Sequence, residues 1–359
     1  MKLSINRVEL LSAISVVNFG VETSSTSPIQ GMAQIEAMCG DLVSISAVSM
    51  DLGIKKDLRG SVEQEGKVIV DIKLISEWAS RCRDEDVEIK KNATTVSLKC
   101  GKSRFNLRLK DVNIPEFPET EDGFPIESNI LSDLIGEVVN AAEDTTMSSG
   151  VGNGIHFEFG YDSLSATATQ GTLLLHSSKK LSEVSAQCIP SFFLPRKIAQ
   201  DVKRIIDRNK LETVNVSKSD NVTSISTEDT VLFFRNSKAV LPKWRSLIPS
   251  DKSNSFTVDS GEFREALSRT AVSLGDSCKV TISISDNAII MATAGNIGDN
   301  VETIDCVTEK SFDTNANYKL LTEALKGVEG KATVLVNPRA LIVFREGSED
   351  YIGFAASMA

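Results

Sequence analysis

Histidine is nearly absent from this chain: His156 and His176 are the only two in 359 residues. An imidazole-based metal centre or general base therefore has little to draw on. The six cysteines, Cys39, Cys82, Cys100, Cys188, Cys278 and Cys306, are scattered and form no C-x-x-C pair. Zinc sites and disulfide frameworks use clustered spacing, so six reduced, mostly buried thiols are expected. No apolar run approaches the roughly 18 residues of a membrane span. Arg7 and Glu9 also interrupt the first apolar stretch, which argues against a signal peptide. The reading is a soluble cytoplasmic protein with no membrane partner. Positive charge is in deficit as well, with 39 basic against 49 acidic residues and a net charge of −10. Spread evenly, that balance would repel nucleic acid, so the position of the cations decides.

What is present is an ordinary globular composition, 41% hydrophobic and 25% charged, which excludes a disordered or collagenous chain. The length implies more than one core. One pattern occurs three times. Leu3 and Ile5 alternate, and Leu10, Ala13, Ile14 and Val17 follow at helical spacing. The same offsets return as Phe124, Ile126, Leu131, Leu134, Ile135 and Val138, and again as Phe256, Val258, Phe263, Ala266, Leu267 and Thr270. Period two feeding period 3.6 reads as a strand running into a helix. Each copy has a weaker echo. Val70 and Ile72 lead to Ile75, Trp78, Ala79 and Cys82, and Phe192 and Leu194 lead to Ile198, Val202, Ile205 and Ile206. The third echo runs from Phe312 to Tyr318, Leu320, Leu321, Ala324 and Leu325. Alternating, β-branched stretches fill the intervals, broken by turns such as Asp286-Asn287 and Gly160-Tyr161-Asp162. The spacing predicts an α+β protein of three similar domains, residues 1–120, 121–250 and 251–359. Each has two helices covering antiparallel sheets.

Catalytic motifs are weak. A histidine general base with Cys188 or an aspartate is a reading that no spacing supports. Gly101-Lys102-Ser103 resembles the end of a phosphate-binding loop, yet Val96 stands where that motif needs glycine. Gly150-Val151-Gly152-Asn153-Gly154 lacks the flanking strand and helix of a dinucleotide site. The acidic groups Asp84, Glu85 and Asp86, with Asp299 and Asp305, follow no metal-loop spacing. No metal, cofactor or catalytic residue is assigned.

The cations are more informative. The second helix of the middle copy opens near Pro195, a favoured first-turn residue. It carries Arg196, Lys197, Lys203, Arg204, Arg208 and Lys210, with Lys197, Arg204 and Arg208 on one stripe away from the apolar face. Lys73 and Arg81, and Arg264 and Arg269, are thinner versions on two other helices.

At these residues the chain resembles a known family. MKLSINRVELLSAIS, Ser27-Pro28-Ile29 with Asp41-Leu42 and Met50-Asp51-Leu52, and Gly101 to Leu107 with Pro115 to Pro118 are similar to the bacterial sliding clamp, the β subunit of the replicative DNA polymerase. Leu194-Pro195-Arg196-Lys197 and Pro242-Lys243-Trp244-Arg245 with Pro249 continue the match along the whole chain. The resemblance implies a head-to-tail homodimeric ring of six domains, with helices lining a hole that encloses duplex DNA. The helix cations would then meet phosphates without reading sequence. DNA polymerase and clamp loader would dock through short peptides, and no bond would be made or broken. It implies a dimer joint of Phe105 and Leu107 against Val272 and Leu274. It also implies a partner-peptide cleft of Thr169, Gly171, Thr172, Leu173, Leu174, Pro242, Ser246, Leu247, Phe354, Ala355 and Ala356.

Departures from the family fall at that cleft. The family's Thr-Asp-Gly-His-Arg-Leu strand reads Thr169, Gln170, Gly171, Thr172, Leu173, Leu174 here, without the His-Arg pair. Its Met-Pro-Met-Arg-Leu-like tail is replaced by Phe354 to Met358. The loop near Gly150 lacks the family's Arg and Tyr, and Ser24 and Ser25 replace a frequent arginine loop. A divergent clamp serving a phage, a mobile element or a specialised polymerase accounts for these changes. The alternative is a clamp-fold interaction module that no longer encircles DNA.

Overall fold

The computed structural model describes the chain except residues 22, 24–25, 50–51, 119–122, 144–152, 183–190, 237–239, 275–276, 296–297 and 359. Six α-helices are described: α1 (Arg7–Val17), α2 (Ile72–Ser80), α3 (Ser128–Val138), α4 (Arg196–Asn209), α5 (Ser260–Thr270) and α6 (Tyr318–Leu325). Each follows directly on a strand, so all six strand-to-helix steps expected from periodicity form. Pro195 ends the strand before α4 and is not in its first turn.

Four of the steps share one piece of chemistry. Asn6, Asp71, Asp259 and Asn317 occupy the junction, and each side chain accepts from backbone N–H groups of the first helical turn. Such a cap satisfies donors that the helix itself leaves unpaired, worth about 1 kcal/mol. The apolar stripes go where the spacing put them. Leu10, Ala13, Ile14 and Val17 of α1, Leu131, Leu134, Ile135 and Val138 of α3, and Phe263, Ala266, Leu267 and Thr270 of α5 are all buried. Each fully buried large apolar side chain contributes about 1.5–3 kcal/mol, so these stripes fix the helices to their sheets.

The chain packs as two compact units. The first holds residues 1–128 and 208–236, and the second holds residues 129–207 and 237–359. In the first, a five-stranded sheet runs in the order Ser61–Gln64, Lys2–Asn6, Asp86–Lys91, Thr95–Cys100, Ser103–Arg108. An eight-stranded sheet joins Thr230–Arg235 to Leu52–Arg59, with Leu232 opposite Ile54 and Phe233 opposite Gly53. In the second unit a nine-stranded sheet joins Leu173–Lys180 to Tyr351–Ala356, Leu174 facing Phe354. A four-stranded sheet there ends on Gly298–Asp305. The repeats divide the chain by similarity and the units divide it by packing, and the middle stretch supplies strands to both.

Two turns follow directly from their local sequence. Asp286 and Asn287 both take positive φ (50° and 61°), the geometry of a tight hairpin turn that Asx residues tolerate. Gly101-Lys102 closes the hairpin from Thr95–Cys100 to Ser103–Arg108, with Gly101 at φ 57°, so the phosphate-loop resemblance is a turn. The cysteines correct an expectation. Only Cys100 and Cys306 are buried, Cys82 and Cys278 are half-buried, Cys39 is exposed, and all five are free thiols. Cys39 precedes the turn Gly40-Asp41, which holds it outside the sheet. Cys188 lies outside the described residues.

Candidate functional site

A cleft of about 940 Å³ opens in the second unit. One wall is the turn between Ser163–Thr169 and Leu173–Lys180. Thr169 Oγ1 donates to the Leu173 carbonyl at 3.1 Å and accepts from the Gly171 N–H at 3.2 Å. Gly171 itself sits at φ 85°, which favours glycine. A second wall is the 3₁₀ turn Trp244–Leu247, closed by Ser246 Oγ donating to the Lys243 carbonyl at 2.6 Å. The third is the turn at 337–340, where Asn337 Oδ1 accepts from the N–H groups of Arg339 and Ala340, both at 2.8 Å. The last strand ties these walls together. The Ala356 N–H donates to the Thr172 carbonyl at 2.9 Å, and the Ser357 N–H to the Arg339 carbonyl at 3.0 Å.

Trp244 forms the floor. It is buried, meets Phe354 edge-on with centroids 5.9 Å apart, and carries the Arg245 guanidinium 4.4 Å over its ring. Leu174, Trp244, Leu335, Ile342, Phe344, Ile352 and Phe354 form one apolar cluster beneath. At the rim Val240 and Leu247 stay 78% and 54% exposed, apolar surface that a monomer gains nothing by showing. A concave apolar floor with a few polar groups at its edge suits a short, mostly apolar peptide.

Of the cleft residues inferred from sequence, Thr169, Gly171, Thr172, Leu174, Pro242, Ser246, Leu247, Phe354 and Ala356 line it. Leu173 and Ala355 do not. Strand alternation turns both to the other face, where they are buried. The structure adds Trp244, which the sequence offered only as part of a motif, and the wall at Asn337, Pro338 and Arg339. The Asn-Pro pair is a turn signal that could have found that wall. Neither histidine lines the cleft. His176 lies under Trp244, ring centroids 4.7 Å apart, with Nδ1 2.8 Å from Thr167 Oγ1. Burial, then the Arg245 charge, lowers its pKa to about 4. His156 packs edge-on against Phe193. Among the described residues no three His, Cys, Asp or Glu groups could hold a metal, and no helix is long and apolar enough to cross a membrane.

The cations assigned from sequence are placed unevenly. Lys197 is exposed on α4, and the exposed Arg208 donates to Ser15 Oγ at 3.1 Å. Arg204 NH1 lies 3.0 Å from Asp201 Oδ1. Lys203 bridges Ser132 Oγ at 2.8 Å and Asp207 at 3.1 Å. Arg196 turns inward, half-buried, and donates to the Ala142 carbonyl. On α5, Arg269 pairs with Glu302 at 3.0 Å, while Arg264 donates to the Ser260 carbonyl at 3.2 Å. At α2, Lys73 is exposed, and Arg81 donates to the Glu77 carbonyl at 2.7 Å. Of the four residues assigned to a joint, Leu107 and Leu274 are buried within the chain, Phe105 stacks on Trp78 at 6.1 Å, and Val272 is 78% exposed. Ser24, Ser25 and Gly150 to Gly152, singled out in the sequence, lie outside the described residues.

Known proteins share this architecture. The family model of the DNA polymerase III β subunit N-terminal domain matches residues 1–120, and that of the C-terminal domain matches residues 245–340. The Beta sliding clamp of Bacillus subtilis (strain 168) is 24% identical over 348 residues, 92% of this chain and 91% of that protein. The structure of Caulobacter crescentus pol III beta superposes with a TM-score of 0.91 at 22% identity, covering all of both chains. A DnaN sliding clamp from Pseudomonas aeruginosa bound to griselimycin gives a TM-score of 0.90 at 18% identity, covering 100% of this chain and 99% of that one.

Proposed function

The chain belongs to the DNA polymerase III β-subunit family, as a divergent member, and from that premise we propose that it is a sliding clamp. Two copies join head to tail around duplex DNA, with residues 1–120, 121–250 and 251–359 as the three domains of each. The ring holds the polymerase on its template in the cytoplasm. It catalyses nothing, because a tethered enzyme rebinds at high effective concentration without new chemistry. Polymerase and clamp loader dock by short peptides in the cleft floored by Trp244.

The observation that carries this reading is the strand-to-helix step repeated six times along the whole chain. It is the pattern a ring of like domains needs. Ser103–Arg108 and Gly298–Asp305 end their sheets with one unpaired side each among the described strands, which suits closure by edge pairing between copies. The cationic helices supply contacts to phosphate without sequence readout.

The test is topological. The protein is loaded on nicked circular duplex DNA, and the DNA is then linearised. Retention on circles and release from free ends is expected. A complex indifferent to linearisation would refute encirclement and favour an interaction module of the same fold.

A further inference from the structure

We propose that Asp201 and Asp207 hold two of the DNA-directed cations of α4 in check, so that this helix meets the duplex with fewer effective charges than it carries. The inference rests on the reading of α4 as a DNA-facing helix. Five cations stand on α4, Arg196, Lys197, Lys203, Arg204 and Arg208, against the two carboxylates Asp201 and Asp207. Arg196 is committed to the Ala142 carbonyl. Lys203 and Arg204 each have a carboxylate within ion-pair distance, at 3.1 Å and 3.0 Å. Lys197 and Arg208 have none among the described residues.

The two pairs differ in kind. Asp207 is half-exposed, and Ser132 Oγ also donates to it at 2.6 Å. Water can replace Lys203 there, so this restraint is soft. Asp201 is 2% exposed at the border between the apolar face and the cationic stripe. Its Oδ1 takes Arg204, and its Oδ2 has no hydrogen-bond partner. Burial raises its pKa, while the Arg204 and Lys197 charges oppose that rise. A phosphate that draws Arg204 away would leave a buried carboxylate without its ion-pair partner, with only the more distant Lys197 charge to offset it. Arg204 is therefore held at the surface yet reluctant to leave. Looser pairs, without a fully buried carboxylate, stand where Arg269 of α5 meets Glu302 and the exposed Glu265, and where Arg81 meets the exposed Glu77. A ring that must slide gains from contacts that are individually weak, and restrained cations provide them without removing charge.

Binding of the full-length protein to a linear duplex across a salt series tests this. Asp201→Asn is expected to tighten binding and to steepen the slope of log K against log salt by about 0.9, one released counterion. Asp207→Asn, whose side chain is exposed enough to keep folding out of question, is expected to shift the slope in the same direction by less. Glu349→Gln, which breaks a surface pair with Lys252 away from α4, changes net charge equally and should leave the slope alone. Unchanged slopes in both aspartate variants overturn the proposal, as does an equal shift in Glu349→Gln. Lys197→Glu with Arg208→Glu separates the two levels. Weakened binding there keeps the DNA-facing reading even when the restraint fails, whereas unchanged binding removes both.

Discussion

His176 shows how a residue with catalytic potential becomes a structural one. Its ring is clamped between Thr167 and Trp244, and burial lowers its pKa to about 4. The unfolded chain takes up that proton near pH 6.5, so between pH 6.5 and about 4 the unfolded state binds more protons than the folded one. The contribution to stability is whole above that window and is lost as pH falls through it, up to roughly 3 kcal/mol. His176→Gln should flatten the acid side of a plot of Tm against pH. Parallel wild-type and variant plots would count against this account. Single residues also mark where local sequence stops being informative. No catalytic spacing surrounds either histidine in the sequence, but nothing local says that one of them supports a tryptophan floor. Arg196 looked like its neighbours in a cationic run, and only the position of Ala142 separates it from them.

At the scale of elements, the helices were legible because their chemistry is local. Asn6, Asp71, Asp259 and Asn317 cap from within one turn, and the buried stripes recur every three or four residues. Pairings between distant strands were not legible. Nothing in the composition of Leu52–Arg59 says that it lies beside Thr230–Arg235. The register there leaves a trace at one residue: Gly53 sits against the Phe233 ring, which occupies the space a Cβ would need. Gly53→Ala should cost about 1–3 kcal/mol by overpacking, read as a lower denaturation midpoint. Gly136→Ala on α3 is the matching control, because a Cβ there meets only the end of the Lys203 side chain, 3.4 Å away. Alanine also suits a helix better than glycine, so that variant should not lower the midpoint. Full stability in Gly53→Ala would mean that the two strands separate more readily than their register implies. The cleft divides along the same line. Its middle-stretch residues could be inferred by matching, while Asn337 to Arg339 required the fold to bring a remote turn beside them.

For the whole molecule, the excess of acid loses its force as an argument about DNA. A sum over 359 residues does not describe one helix face, and α4 carries more cations than carboxylates within a chain of net charge −10. The proposed ring predicts a solution mass of twice 38.9 kDa. Val272→Glu places charge on a side chain already 78% exposed, so it should leave the fold intact while shifting sedimentation toward the single chain. A variant that still sediments as a dimer would move the joint away from Val272. Phe105, stacked on Trp78 at the edge strand Ser103–Arg108, is the position that the proposed joint sets against it from the other copy.

The nine-stranded sheet carries a consequence for the order of synthesis. Tyr351–Ala356 is the last of its nine strands to be made, yet it sits between Leu173–Lys180 and Ala340–Arg345 rather than at a border. Until it emerges from the ribosome, both neighbours expose a raw edge, and Leu174 and Phe344 lack the side chains that cover them. The nascent chain therefore waits, half-assembled, for its final strand. Ser177 and Tyr351, partners across that join, are laid down nearly half a chain apart, so the sheet can become continuous only once the second has been made.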